Sequence, residues 1–305
     1  MTVRIHFFGM GKMGLPMALH LQGAGHSVSV SDTSSERLQL ATDKGLATAA
    51  VVGAVLARAD MIFSSLPNDA ALQHVAAQVA RAARRGAIFV DTSTVSQPAS
   101  AEVAKALTAA GVLYLRTTVS GNNKMAEAAQ LTVMASGPRE AYDAALPLLK
   151  ALGPNHFYLG EAEQARLMKL VVNLMIAQTS AMLAEALTLG RKGGLDWTDM
   201  WAVLGASAVG SPIVKAKSPQ LSQRDFTPTF TVLQMIKDLD LIIGAGEASH
   251  VPLPQTAMTL QLMHAAVAQG DALDDYAAII KSVERSAGLP VQLGVFPEAD
   301  KESEL

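Results

Sequence analysis

Val3-Arg4-Ile5-His6-Phe7-Phe8-Gly9-Met10-Gly11-Lys12-Met13-Gly14 runs from an apolar strand straight into a glycine turn, and a helical pattern starts behind it. Each glycine has a physical reason. Gly9 permits the tight turn, Gly11 lets the backbone approach a pyrophosphate, and Gly14 lets the helix pack on the strand. The amides and positive dipole end of that helix then face an anion. A glycine turn alone also occurs for structural reasons. A strand before it and a helix after it make it a dinucleotide site, with Met10 and Met13 among its backbone contacts. The second strand ends at Asp32, 18 residues beyond Gly14, where a carboxylate accepts from the ribose hydroxyls. Capping the next helix is the alternative role for Asp32, but Thr33-x-x-Glu36 reads as a capping box that leaves Asp32 free. A carboxylate here repels a 2′-phosphate, so NAD is favoured over NADP; Arg37 is the one nearby cation suited to a phosphate.

Working outward, residues 3–8, 27–31, 61–65, 87–91, 112–115, 131–135 and 156–159 read as strands. Helical patterns such as 68–83 and 98–110 lie between them, the latter opened by Pro98 and closed by Gly111. Strands apolar on both faces that alternate with helices imply an α/β fold, a doubly wound Rossmann sheet covered on both sides. After residue 160 the strand signals stop. Residues 164–189 read as one long connecting helix, and further helical patterns follow near 197–204, 212–221, 231–245, 253–268 and 274–286. The expected organisation is a Rossmann domain over 1–163, an all-α C-terminal domain over 164–293 that includes the interdomain helix, and a disordered acidic tail over 294–305.

Composition narrows the classes. The chain has 305 residues, half of them apolar and 17% charged, with a net charge of −3. That balance gives no basic face for nucleic acid. No cysteine is present, which removes disulfides, thiolate nucleophiles and cysteine-bound metals, and the histidines show no metal-type pairing. The apolar run 167–189 carries Lys169, Asn173, Gln178 and Glu185, so it reads as a buried helix and not a membrane span. With structure starting at Val3 no signal peptide is expected, and the location read is cytoplasmic.

Phe8-Gly9-Met10-Gly11-Lys12-Met13-Gly14-Leu15-Pro16-Met17-Ala18 is more specific than a general dinucleotide fingerprint. It resembles the β-hydroxyacid dehydrogenases, such as 3-hydroxyisobutyrate dehydrogenase, and five further segments follow in the family's order. Leu66-Pro67 is similar to the turn beside the cofactor. Asp91-Thr92-Ser93-Thr94-Val95 is similar to the segment whose threonine, here Thr94, reaches the nicotinamide end. Val119-Ser120-Gly121-Asn122 is similar to the substrate turn. Gly160 followed by Lys169-Leu170-Val171-Val172-Asn173 is similar to the catalytic lysine and its asparagine. Phe230 through Lys237-Asp238-Leu239 is similar to the motif whose lysine joins the cofactor site.

What the resemblance implies can be weighed against the residues. Lys169 and Asn173, four apart, share one helix face. A lysine on an apolar helix is often only a snorkelling side chain; the motifs around it favour a general acid/base for the proton of a substrate alcohol. Ser120, Gly121, Asn122 and Asn173 are then the substrate contacts. The family's Asp-Ala-Pro before the substrate turn is Arg116-Thr117-Thr118 here, and Asn122 replaces a glycine. Arg116 is either a contact for an extra polar group on the substrate or a structural ion-pair partner. Imine reductases share the architecture but usually carry Asp or Tyr at the lysine position, and a non-catalytic NAD-binding module would lack the lysine. The expected partner is a small carboxylate substrate, with no metal, nucleic acid or membrane, and the apolar excess suggests a homodimer or homotetramer.

Overall fold

The computed structural model describes residues 2–291, so the expected tail at 294–305 lies outside the described residues. The chain divides into two compact units, one ending at Val172 and one starting at Asn173, and the division falls inside a helix. The first unit comprises β1 (Arg4–Phe8), α1 (Gly14–Gly23), β2 (Ser27–Ser31), α2 (Ser35–Asp43), β3 (Ala47–Thr48), α3 (Val52–Leu56), β4 (Met61–Ser64) and α4 (Asp69–Ala82). It continues through β5 (Ile88–Asp91), α5 (Gln97–Ala109), β6 (Leu113–Ser120), α6 (Asn123–Glu127), β7 (Thr132–Ser136), α7 (Arg139–Leu149) and β8 (Asn155–Tyr158) into the start of α8 (Gln164–Lys192).

The strands form one sheet in the order β3-β2-β1-β4-β5-β6-β7-β8. Neighbours run parallel except β6 and β7, which are antiparallel. Adjacent residues on the central strands enter different cores. Phe7, Phe63, Val90 and Leu115 pack on one face, and Phe8, Ile62, Phe89 and Tyr114 on the other. That double burial explains why these strands read as continuous apolar runs. The order reverses direction at β1, whose neighbours are β2 and β4, so ligands are expected outside the carboxyl ends of these strands.

Three sequence expectations need correction. β3 has two residues and no hydrophobic run to announce it. β6 continues to Ser120, beyond the expected end at Leu115, because Arg116, Thr117 and Thr118 are buried with partners. The last helical pattern resolves into a 3-10 turn, Tyr276–Ala278, before its α-helix.

α8 was expected to be buried. By length and composition it could cross a membrane, with a mean hydropathy of 1.5, yet 44% of that window is buried in the protein. Its face carrying Met175, Met182 and Leu189 is exposed; periodicity alone does not separate a covered apolar face from an open one. Arg166, near its start, is buried against Asp91, and Arg191, near its end, is buried against Glu284. Charges placed this way belong to a helix packed in protein.

The second unit adds α9 (Trp197–Ala206), α10 (Pro212–Ser222), α11 (Val232–Ala248), α12 (Pro254–Ala268) and α13 (Ile279–Ser286). Trp197 and Trp201 meet edge to face at 6.0 Å, a packing role. Glu284 is wholly buried and receives both Arg191 and Arg224.

His6 on β1 gives the fold a pH dependence. It is fully buried, its ring nitrogens lie 2.9 and 3.1 Å from the Ser29 and Ser31 hydroxyls, and desolvation pushes its pKa down to about 4. Unfolded, the ring titrates near 6.5, so below that pH the unfolded chain binds a proton that the folded chain refuses until about pH 4. Stability therefore falls as pH drops through that window, by up to about 3 kcal/mol. Urea unfolding of His6→Gln at pH 7 and 4.5 should show a pH difference about 2 kcal/mol smaller than wild type. An unchanged difference would contradict this assignment.

Candidate active site

The glycine turn lies at the carboxyl end of β1, and its three glycines have different duties. Gly9 has φ +92°, and a Cβ there would lie 2.3 Å from the Ser65 carbonyl oxygen; at Gly14 a Cβ would lie 1.8 Å from the Gly9 oxygen. Both positions are closed by the chain itself. A Cβ on Gly11 would meet nothing within 4 Å. Nothing inside the protein demands glycine there, whereas a pyrophosphate lying on that open backbone would. α1 also begins without a side-chain cap or an acidic residue in its first turn. Its amides and positive dipole end therefore suit an anion, and the residues present fit a dinucleotide.

Asp32 braces this turn. Its Oδ2 accepts from Met10 N–H at 2.6 Å and its Oδ1 from Ser34 N–H at 2.8 Å. The expected Thr33–Glu36 capping box does not form; Ser34 caps α2 by accepting from Arg37 N–H. The Arg37 guanidinium stands 3.9 Å from the Asp32 carboxylate, on an exposed side chain. Each carboxylate oxygen keeps a lone pair beyond its backbone bond.

Leu66 and Pro67 follow β4, where Leu66 N–H donates to Ser93 Oγ at 2.8 Å. Ser93 belongs to the segment after β5 that carries Thr94, so the turn and the Thr94 segment are joined directly. Ser120 closes β6. Gly121 has φ +138°, a conformation that favours glycine, and the side chain of Asn122 accepts from Met125 N–H to cap α6. Arg116 points into the structure. It pairs with Glu163 and lies 4.6 Å over the Tyr114 ring, which supports the ion-pair reading.

Lys169 lies in the second turn of α8 and is half-buried, while Leu170 beside it is buried. The first turn of α8 is held by the sheet: Thr118 Oγ1 donates to the Ala165 carbonyl at 2.9 Å, and Ala165 N–H donates to Ser136 Oγ at 3.1 Å. Arg166, one helical turn before Lys169, reaches Asp91, Ser93, Ser100 and Tyr114. Neither Arg166 nor Asp91 was singled out from sequence. Their signal was there, as one charge inside an apolar helix and one ending an apolar strand. Within the second unit Asn173 is buried and its amide donates to Asp238 Oδ2, while Lys237 Nζ lies 2.8 Å from Asp238 Oδ1. Asp238, also missed as a site residue, thus ties together the two expected residues of that unit. Among the described residues no group of three His, Asp or Glu side chains is placed to hold a metal.

Residues 4–160 match the family described as the NAD binding domain of 6-phosphogluconate dehydrogenase. Residues 164–283 match that described as NAD-binding of NADP-dependent 3-hydroxyisobutyrate dehydrogenase. A 2-(hydroxymethyl)glutarate dehydrogenase of Eubacterium barkeri is 33% identical over 96% of this chain and 99% of its own length. The chain belongs to the β-hydroxyacid dehydrogenase family. A glyoxylate/succinic semialdehyde reductase 2 of Arabidopsis thaliana is 31% identical over 93% of this chain and 80% of its own. The solved structure of a 3-hydroxyisobutyrate dehydrogenase from Mycobacterium tuberculosis, with L-serine, superposes with a TM-score of 0.85 at 29% identity, covering 93% of this chain and 99% of that one. As a member of the family this protein is an NAD(P)-dependent oxidoreductase acting on CH–OH groups.

The glycine geometry separates folding from binding. Gly14→Ala should lower stability by about 2 kcal/mol or more through backbone overlap. Gly11→Ala should leave the melting temperature unchanged and weaken dinucleotide binding at least tenfold by calorimetric titration. Wild-type affinity in Gly11→Ala would contradict a phosphate at that backbone.

Proposed function

We propose that this dehydrogenase transfers a hydride between NAD and a small β-hydroxy acid or its semialdehyde, with Lys169 as general acid/base. The reading rests on one observation: a half-buried lysine in the second turn of α8, whose first turn is bonded to the carboxyl-terminal region of the dinucleotide-binding sheet. Bound nicotinamide supplies the hydride chemistry. Oxidising an alcohol also requires a base for the hydroxyl proton, and reducing a carbonyl requires an acid for the forming alkoxide. A lysine amine takes that proton and its ammonium returns it, while the positive charge polarises a carbonyl being reduced. Ser120, Gly121 and Asn122 hold the substrate carboxylate through turn amides and side chains. Asn173 orients the substrate through its amide, and Lys237 joins the cofactor site, as their motifs imply.

NAD is favoured over NADP because the Asp32 carboxylate at the end of β2 would repel a 2′-phosphate. Arg37 does not reverse this, since its guanidinium already stands near that carboxylate. The cytoplasm suits a cysteine-free enzyme of this kind. Self-association as a homodimer or homotetramer is supported by Met168, Met175, Met182 and Leu189, exposed apolar residues recurring every seven along α8.

A panel of 3-hydroxyisobutyrate, serine, glycerate, 4-hydroxybutyrate and sulfonated analogues, run with both cofactors, tests the reading. One member should be oxidised with a higher kcat/KM on NAD than on NADP. Lys169→Ala should bind NAD within about threefold of wild type and lose about 100-fold or more in kcat; unchanged turnover would remove the mechanism. For the assembly, light scattering at micromolar concentration should give two or four copies, and a monomer would overturn that part.

A further inference from the structure

All three guanidinium nitrogens of Arg166 donate inside the first unit. Nη1 donates to the Ser93 carbonyl at 2.5 Å, Nη2 donates to Asp91 Oδ2 and to the Tyr114 hydroxyl, and Nε donates to Ser100 Oγ at 3.2 Å. Both charged side chains of the pair are wholly buried. Asp91 Oδ1 accepts from Ser64 Oγ and from Ser93 Oγ, and Ser93 Oγ in turn accepts from Leu66 N–H. One rigid planar cation therefore fastens α8 to the ends of β4 and β5, and through Ser93 to the turn at Leu66.

Stability does not explain such a pair. An apolar pair of similar volume usually serves the core as well or better, because desolvating two charges offsets their attraction. What the pair supplies is geometry. A guanidinium has a fixed fork of donors, so the rotation and height of the first two turns of α8 against β5 are set where it binds. Lys169 lies three residues on, on the neighbouring turn of the same helix side. A slip of one residue would turn Lys169 by about 100°, and a misplacement of about 1 Å at a reacting group costs on the order of 100-fold in rate.

We propose that Arg166 and Asp91 are positioning residues that hold Lys169 and the Thr92–Thr94 segment in one frame, so that proton and hydride transfer share a common geometry. This rests on the reading of Lys169 as the acid/base.

The test replaces the pair by Asp91→Leu with Arg166→Met in one protein, and uses the panel substrate with the highest wild-type kcat/KM. Tyr114→Phe, which removes one neutral bond to Arg166, and Arg166→Lys, which keeps the charge and loses the fork, are measured beside it. The double variant should melt within a few degrees of wild type and bind NAD within about fivefold. Its kcat should fall at least 30-fold while KM changes less than threefold. Tyr114→Phe and Arg166→Lys should each lower kcat three- to tenfold. A folded double variant with wild-type kcat overturns the proposal; if the double variant does not fold, wild-type kcat in both single variants overturns it. Lys169→Ala in parallel separates the two ideas. Wild-type turnover there removes the acid/base reading and the positioning role with it. Lost turnover there, with turnover kept in the folded double variant, removes the positioning role alone.

Discussion

A cation without water must be given its partners by the protein, and Arg166 is that constraint here. Its charge is met by Asp91, and further donors go to Ser93, Ser100 and Tyr114, so the end of β5 and the starts of β6, α5 and α8 converge on one group. Removing one partner alone would strand a buried charge, at a cost of about 3–5 kcal/mol. Burial pushes the Tyr114 hydroxyl up to about 12, against the opposing charge of Arg166, so it stays protonated near neutral pH. It is thus always free to accept from the guanidinium and to share a hydrogen bond with Ser100.

The dinucleotide turn follows the same logic at the other side of the switch point. Its backbone is held from behind by Asp32 through Met10 N–H, and from below by the close approach of Gly9 to Ser65 and Gly14 to Gly9. Only the Gly11 side is left open. A site that must accept a doubly charged pyrophosphate repeatedly gains from having its amides aligned before the ligand arrives. Asp32 therefore braces the loop, and in the proposed reading it also presents negative charge to the ribose.

Most of the sheet was legible because parallel strands covered on both faces must be apolar on both, and β1, β4 and β5 obey that rule. The cofactor turn was legible because glycine at Gly9 and Gly14 answers to geometry that no other residue meets. Three things were not. β3 is too short to carry a pattern. The second half of β6 was hidden because Arg116, Thr117 and Thr118 interrupt the apolar run that marks a strand covered on both faces. Ser34 took the cap expected of Thr33, since cap choice is decided by a backbone angle and not by residue type alone. Arg166 is the instructive case. It stands one helical turn before a lysine on an apolar helix, and only the fold shows that its carboxylate partner lies 75 positions earlier in the chain.

The family and the class of reaction stand on the two matched regions together with the relatives. The finer account stands on Lys169. A crystal structure of the ternary complex with NAD and the preferred hydroxy acid tests it most directly. The account predicts Lys169 Nζ within about 2.6–3.2 Å of the substrate hydroxyl oxygen, with the Arg166–Asp91 pair intact behind it. A substrate hydroxyl held by other groups, with Lys169 turned to solvent, would contradict it.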